Sequence, residues 1–173
     1  ECERAGFSYI TTSVSLSQRS GMIPRAETTV VNAYLAPVME QYINRINSKM
    51  EHGTLLMLNS AGGLSTAESF TPKESLLSGP AGGIVGAVSI GRKAGFENVM
   101  SFDMGGTSTD VSRYSGDFSY QHEHRVGSAQ IASTALHIET VAAGGGSICY
   151  YDGYTLKVGP ESAGAHPGPA CYG

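Results

Sequence analysis

The residues best suited to chemistry in this chain are Asp103, Gly105, Gly106, Thr107, Ser108 and Asp110, gathered in the string FDMGGTSTDVSRY from Phe102 to Tyr114. An apolar run (Val99, Met100, Phe102) delivers Asp103 to the end of a predicted strand. Gly105 and Gly106 then make a tight turn, and Thr107, Ser108, Thr109 and Asp110 lead into a second strand, Val111 to Tyr114. Glycines there can take positive φ and let the backbone approach a ligand closely. Successive N–H groups in such a turn point into one concavity, which suits phosphate. A carboxylate beside it can hold Mg2+ directly or through water, and the hydroxyls can bond phosphate oxygens. The pattern describes a nucleotide-phosphate hairpin, with ATP and Mg2+ as the first ligands to consider. Asp-x-Gly-Gly between two strands is also an ordinary β-turn, so the motif needs support from its surroundings.

Other strings offer further candidates. Gly144, Gly145, Gly146 and Ser147 follow an apolar strand; they either bring backbone close to a nucleotide or substrate, or form a bulge or sharp turn. Ser78-Gly79-Pro80-Ala81 opens a helix, where free N–H groups favour anions; close packing is the competing reading. His122 and His124 alternate along a strand and could pair on a metal, but zinc sites want three or four ligands, so solvent exposure is expected. His166 and Cys171, in a loop stiffened by Gly and Pro, could join an acid around a divalent ion. A structural loop with a buried thiol is the expectation there. Arg25, Thr28, Thr29 and Asn32 open a long helix and are read as structural, with Thr28 capping a turn and Asn32 bonding to a neighbouring strand.

These residues need elements to position them. Glu1 to Met22 is irregular, with a β-like run at Phe7 to Val14. A helix is predicted from Glu27 to Met50, because Val30, Val31, Tyr34, Leu35, Val38, Met39, Tyr42, Ile43 and Ile46 recur at three-to-four spacing; Pro37 should bend it or mark its first turn. Thr54 to Leu58 reads as a short buried strand, and Asn59 to Gly63 as a turn at its C-terminal end, where ligand loops of α/β proteins tend to sit. Thr66 to Leu77 reads as a short helix and connection. A helix from Ser78 to Lys93 follows, with Pro80 in its first turn and Gly95 ending it. Gly82, Gly83 and Gly86 each cost it about 1 kcal/mol relative to Ala, so close packing against another backbone is expected. The hairpin comes next, then Asp117 to Arg125 as a third strand. Ala135 to Ala142, Ser147 to Tyr151 and Tyr154 to Val158 are β-like.

At 173 residues the chain can bury a real core. A net charge of −4 without basic runs gives nucleic acid no footprint. No apolar run reaches membrane-spanning length. Three widely spaced cysteines, Cys2, Cys149 and Cys171, suit reduced thiols of a cytoplasmic protein rather than a disulfide framework. A start at Glu1 without Met and a stop after a Gly/Pro loop suggest a piece of a longer polypeptide.

The strings RAETTVVNAYL, LLSGPAGGIVGA, FDMGGTSTDVSRY, TVAAGGGS and VGPESAGAHPGPACY occur in that order. Together, from Arg25 to Tyr172, they resemble the hydantoinase A/5-oxoprolinase family, whose members open cyclic amides, or carboxylate ketones, at the expense of ATP. DVSRYSG and ESAGAHPGPACY are most similar to the 5-oxoprolinase branch. The resemblance implies an α/β fold of the actin-like, ribonuclease H-like ATPase type. Residues 1–96 would be the end of the first lobe with the connecting helix Pro80 to Lys93. Residues 97–173 would start the second lobe. FDMGGTSTDV also resembles the corresponding loop of heat-shock chaperone ATPases.

The implied reaction is opening of 5-oxo-L-proline to L-glutamate through phosphorylation of the lactam oxygen. Asp103 would handle the metal, and Gly105, Gly106, Thr107 and Ser108 would cradle phosphate. Asp110 would be a second metal or water ligand, or a turn cap. Such ATPases grip phosphate between two hairpins and only one D-x-G-G-T string is present, so ATP and lactam turnover would require the rest of the polypeptide or a hydantoinase B-type partner, in an oligomeric parent. A hydantoinase and a ketone carboxylase subunit are the alternatives within the family. A non-catalytic actin-like nucleotide switch is the alternative outside it.

Overall fold

The computed structural model of the chain describes residues 1–172. Its helices are α1 (Ser13–Leu16), α2 (Met22–Asn47) and α3 (Ser78–Lys93). The first strands are β1 (Leu56–Leu58), β2 (Leu64–Thr66), β3 (Asn98–Met104) and β4 (Thr109–Ser115). Four short ones follow: β5 (Asp117–Phe118), β6 (Tyr120–Gln121), β7 (His124–Val126) and β8 (Ala129–Ile131). The last are β9 (Ala135–Leu136), β10 (Glu139–Val141), β11 (Ser147–Tyr151) and β12 (Leu156–Ser162). No helix is long and apolar enough to cross a membrane among the described residues.

Two compact units result. One joins Glu1–Gly82 with Tyr120–Leu136; the other joins Gly83–Ser119 with the residues from His137 onward. The division therefore falls inside α3 rather than at the expected 96/97 boundary, because Tyr120–Leu136 pairs with earlier parts of the chain. Ser60 makes that pairing: its carbonyl accepts the N–H of Leu136 at 2.8 Å, and its buried hydroxyl donates to the Thr134 carbonyl at 2.8 Å.

In the first unit α2 starts five residues before the expected Glu27 and runs unbroken past Pro37. Its apolar residues do not share one buried stripe. Val31, Leu35, Met39, Ile43 and Ile46 are half-buried, whereas Val30, Tyr34, Val38 and Tyr42 are exposed. The two fully or nearly fully buried positions are instead polar, Thr28 and Asn32. The Thr28 hydroxyl donates to the Pro24 carbonyl at 2.6 Å and accepts the N–H of Ala132 at 2.8 Å. Asn32 Oδ1 accepts the N–H of Lys73 at 3.0 Å, and its Nδ2 reaches Thr11 at 3.4 Å. Buried polar groups are tolerable only when paired in this way. Both residues are structural, as expected, but Asn32 bonds a 3-10 turn (Pro72–Ser75) rather than a strand.

Several local expectations are corrected. Phe7 to Val14 forms no strand; it is irregular and ends in α1, which Thr12 caps. β1 is only half-buried and pairs with β2 across the Asn59 turn. Asn59 Oδ1 accepts the N–H groups of Ala61 and Gly63, at 3.1 and 2.9 Å, which fixes that turn. Asp117 to Arg125 is not one strand. Gly116, at φ 86°, turns the chain, and β5, β6 and β7 pair with β4, β9 and β8 respectively.

The second unit is built on an antiparallel sheet in the order β10-β4-β3, with β5 on β4. The seven-residue ladder between β3 and β4 runs from Asn98↔Ser115 to Met104↔Thr109. The expected hairpin is therefore formed. A second hairpin, β11–β12, follows.

Candidate functional site

The site grows out of the β3–β4 turn. Its closure is a single backbone bond, Gly105 N–H to the Ser108 carbonyl at 2.9 Å. Among the described residues no acceptor takes the N–H groups of Gly106, Thr107 or Ser108. Gly105, Gly106 and Thr107 are exposed. Three consecutive unclaimed donors in a turn form a concavity for an anion. The ladder places Asp103 directly opposite Asp110 on the same face of the sheet. Like charges so placed repel, and a divalent cation beside them would remove that cost. The next strand adds a hydroxyl to the row: Thr140, opposite Asp110, donates to its Oδ1 at 2.6 Å. Two carboxylates do not make a closed protein cage, which suits Mg2+, an ion that keeps waters and phosphate oxygens in its shell.

Helix α3 fixes the strand that carries Asp103. A Cβ on Gly91 would come within 2.5 Å of Val99 Cγ2, and one on Gly83 would meet Asp103 Oδ2 at 3.5 Å. Eight helical residues rise about 12 Å, and four strand residues span about 13 Å. The helix thus lies antiparallel along β3, with a glycine at each of these two contacts. The expectation for the α3 glycines is corrected in part. Gly82 faces the Leu58 side chain (2.8 Å from a Cβ) rather than backbone, Gly86 faces open space, and the tightest approach is at Gly91, outside the expected set.

The run Gly144 to Gly146 turns out to stand behind the turn. Gly145 N–H donates to the Gly105 carbonyl at 2.9 Å, and Gly146 N–H to the Gly106 carbonyl at 2.7 Å. Gly144 N–H is taken by Ser147 Oγ at 2.8 Å. A Cβ on Gly144 would stand 2.6 Å from the Gly105 oxygen and 2.8 Å from both Gly106 C and Thr107 N. Thr109, buried, donates its hydroxyl to the Ala143 carbonyl at 2.5 Å, and Gly146 accepts from Ala163 N–H at 2.7 Å. Two of the three glycine N–H groups, those of Gly145 and Gly146, thus brace the β3–β4 turn, and the third closes locally on Ser147. Sequence offered one signal for this, three glycines in a row, which a close backbone approach would explain as readily as a sharp turn.

The remaining candidates are scattered. Ser78 donates its hydroxyl to the Ser75 carbonyl at 2.9 Å. His122 is exposed, with Nδ1 3.2 Å from Thr134 Oγ1. His124, expected in solvent, is buried, and neither ring nitrogen makes a hydrogen bond of ordinary geometry. Burial holds its pKa below the ordinary 6.5; the Ser133 backbone opposes the shift only in part, and the Lys73 charge adds to it. Cys171, expected buried, is exposed, as are Cys2 and Cys149. Among the described residues no group of three His, Cys, Asp or Glu gathers to hold a metal, so His166 and Cys171 find no third ligand there.

The chain is thus an α/β fold whose antiparallel hairpin ends in an acid and a glycine turn with unclaimed N–H groups. Comparison with known proteins makes the assignment specific. Residues 25–173 match the Hydantoinase/oxoprolinase family, and the chain belongs to that family. It is 43% identical over 173 residues to a 5-oxoprolinase of Saccharomyces cerevisiae, covering 96% of this chain and 13% of that one. It is 40% identical over 162 residues to the caprolactamase alpha subunit of Pseudomonas jessenii, covering 86% of this chain and 23% of the subunit. The crystal structure of the ATP-dependent caprolactamase from Pseudomonas jessenii superposes with a TM-score of 0.82 and 32% identity, over 99% of this chain and 26% of that one. The chain thus spans a small part of its relatives' length. The α/β fold expected from the sequence is the one these enzymes share.

Proposed function

We propose that this chain is the phosphate-loop segment of an ATP-dependent cyclic-amide hydrolase, and that the whole polypeptide opens 5-oxo-L-proline to L-glutamate. The observation that carries the reading is the braced hairpin, with three unclaimed N–H groups beside the Asp103–Asp110 pair. Resemblance to 5-oxoprolinases and to an ATP-dependent caprolactamase supplies the reaction class. The two compact units are then parts of successive ATPase lobes linked by α3.

On this reading the Gly106, Thr107 and Ser108 N–H groups orient the terminal phosphates of ATP, with the Thr107 and Ser108 hydroxyls as further donors. Mg2+, when bound, supplies charge neutralisation on the phosphates, and Asp103 is its holder. Asp110, fixed by Thr140, orients water beside it. A lactam is a stabilised amide with a poor leaving group. Transfer of the γ-phosphoryl group to the lactam oxygen makes its carbon electrophilic. One water then adds as the C–N bond breaks, and a second releases inorganic phosphate. Positioning and charge stabilisation account for most catalysis of phosphoryl transfer, and a preformed turn supplies both. Ring recognition lies with the rest of the polypeptide or a hydantoinase B-type partner.

A coupled ATPase screen of the full-length polypeptide tests this, using 5-oxo-L-proline, hydantoin, caprolactam, and acetone with bicarbonate. Stimulation by 5-oxoproline is expected. Stimulation only by another compound would move the substrate while keeping the family, and lactam-independent turnover would favour a nucleotide switch. Asp103→Asn in the same protein is expected to abolish stimulated turnover while leaving the circular dichroism spectrum unchanged, because Asp103 is exposed at the end of its strand. Normal turnover in that variant would refute the role given to Asp103.

A further inference from the structure

The first unit contains a cavity of about 390 Å3 whose lining includes Ser17, Arg19, Lys73, His122, Ser133 and Thr134. Its charge is unbalanced. Arg19 is neutralised by Glu123 at 2.7 Å. Lys73 is half-buried, and among the described residues no carboxylate forms an ion pair with it. Its Nζ donates to the Leu16 carbonyl at 2.9 Å, which leaves two of the three ammonium donors unused. Glu74 attracts it, but the Glu74 carboxylate is engaged by the Thr71 N–H at 3.2 Å in a capping box. His124, buried close by, feels the Lys73 charge. Burial also holds the Lys73 pKa below its ordinary value.

The walls of this cavity are fixed from behind by buried polar side chains. Asn32 holds the Lys73 backbone, Thr28 holds the Ala132 N–H and Ser60 holds the Thr134 carbonyl. A half-buried ammonium without a counter-ion is costly, and here it lines the same preformed space as Ser133 and Thr134. We propose that this cavity binds a small oxyanion, a carboxylate or a phosphate, on Lys73 Nζ, with the Ser133 hydroxyl as a further donor and one more from the hydrogen-bonded His122–Thr134 pair, either His122 Nε2–H or the Thr134 hydroxyl according to the imidazole tautomer. This site goes beyond the phosphate turn and involves none of its residues.

Lysine acylation followed by peptide mass spectrometry tests it on the full-length polypeptide, with a readout independent of turnover. The probes are inorganic phosphate, 5-oxo-L-proline and neutral caprolactam; the exposed Lys49 and Lys93 are internal references. At about ten times Kd, phosphate or 5-oxoproline should slow acylation of Lys73 about tenfold, with the references unchanged and caprolactam without effect. Whichever anion protects identifies the source. Lys73→Gln should reduce the anion-dependent rise in melting temperature to what the phosphate turn and the substrate site contribute, and Lys73→Arg should retain it in full. Protection by neither anion, equal protection by caprolactam, or a Lys73 that resists acylation without any ligand would each overturn the proposal.

Discussion

Replacing Gly144 by alanine offers the sharpest test of the braced turn. The added Cβ would stand 2.6 Å from the Gly105 oxygen, where ordinary contact begins near 3.4 Å. The turn must therefore give by about 0.8 Å, and the obstructing atoms are backbone, so no side chain can swing aside. A displacement of about 1 Å at a reacting phosphate costs roughly 10²-fold in rate. The overpacking itself costs about 1–3 kcal/mol of stability. Its neighbours grade the effect. On Gly145 a Cβ would meet the Gly105 oxygen at 3.8 Å, an ordinary contact, whereas on Gly146 it would meet the Gly106 oxygen and Ser162 Oγ at 3.0 Å. Measured in the full-length polypeptide as kcat/KM for ATP, with folding followed by circular dichroism, Gly144→Ala should be severe and Gly146→Ala intermediate. Gly145→Ala should stay within about twofold. A folded Gly144→Ala protein with unimpaired kcat/KM would refute the bracing. So would Gly145→Ala proving worse than Gly144→Ala, which would mean a ligand lies against the run itself.

Other consequences are independent of nucleotide. Gly91→Ala should destabilise the protein by about 1–3 kcal/mol through its clash with Val99, and Val99→Ala should recover part of that in a double-mutant cycle read from chemical denaturation. Thr28→Val keeps the shape but strands the Ala132 N–H, so a loss of about 1–3 kcal/mol is expected in the same assay. Because the pKa of His124 is lowered on folding, the unfolded chain binds more protons in the window just below 6.5. The stability this group contributes is full above 6.5 and is lost as pH falls through that window; thermal melts against pH should show the acid slope flattened in His124→Leu.

The hairpin was legible because everything that makes it is local: an apolar run, an acid, two glycines and a second extended run within 17 residues, Asn98 to Tyr114. The same holds for α3, where Pro80 near the start and Gly95 past the end mark both limits. Partners distant in sequence were not legible. Nothing in Gly144 names Gly105 as its neighbour, so a brace and a ligand contact read alike. Periodicity in α2 identified apolar positions, but whether such a face is covered depends on what packs there; Val30, Tyr34, Val38 and Tyr42 stay exposed in a chain spanning 13% of a relative's length. Thr28 and Asn32 became the buried positions because their side chains satisfy N–H groups of distant segments. His124 and Cys171 exchanged expected environments for a related reason: burial follows from strand pairing and loop path, and residue type only biases it.

The placement of glycines accounts for how the turn would serve as the phosphate site proposed for it. On one side α3 approaches β3 through Gly83 and Gly91, fixing the strand that ends in Asp103. On the other, Gly144 to Gly146 press on the carbonyl side of Gly105 and Gly106 and take up those acceptors. A peptide plane whose carbonyl is fixed has its N–H direction fixed as well. Engaging the Gly105 and Gly106 carbonyls therefore aims the Gly106 and Thr107 N–H groups, which remain unclaimed. An exposed glycine turn would otherwise be a flexible element that had to be ordered by each ligand. Here that ordering is accomplished in folding, and on the proposed reading what would remain for a bound phosphate is the attraction itself.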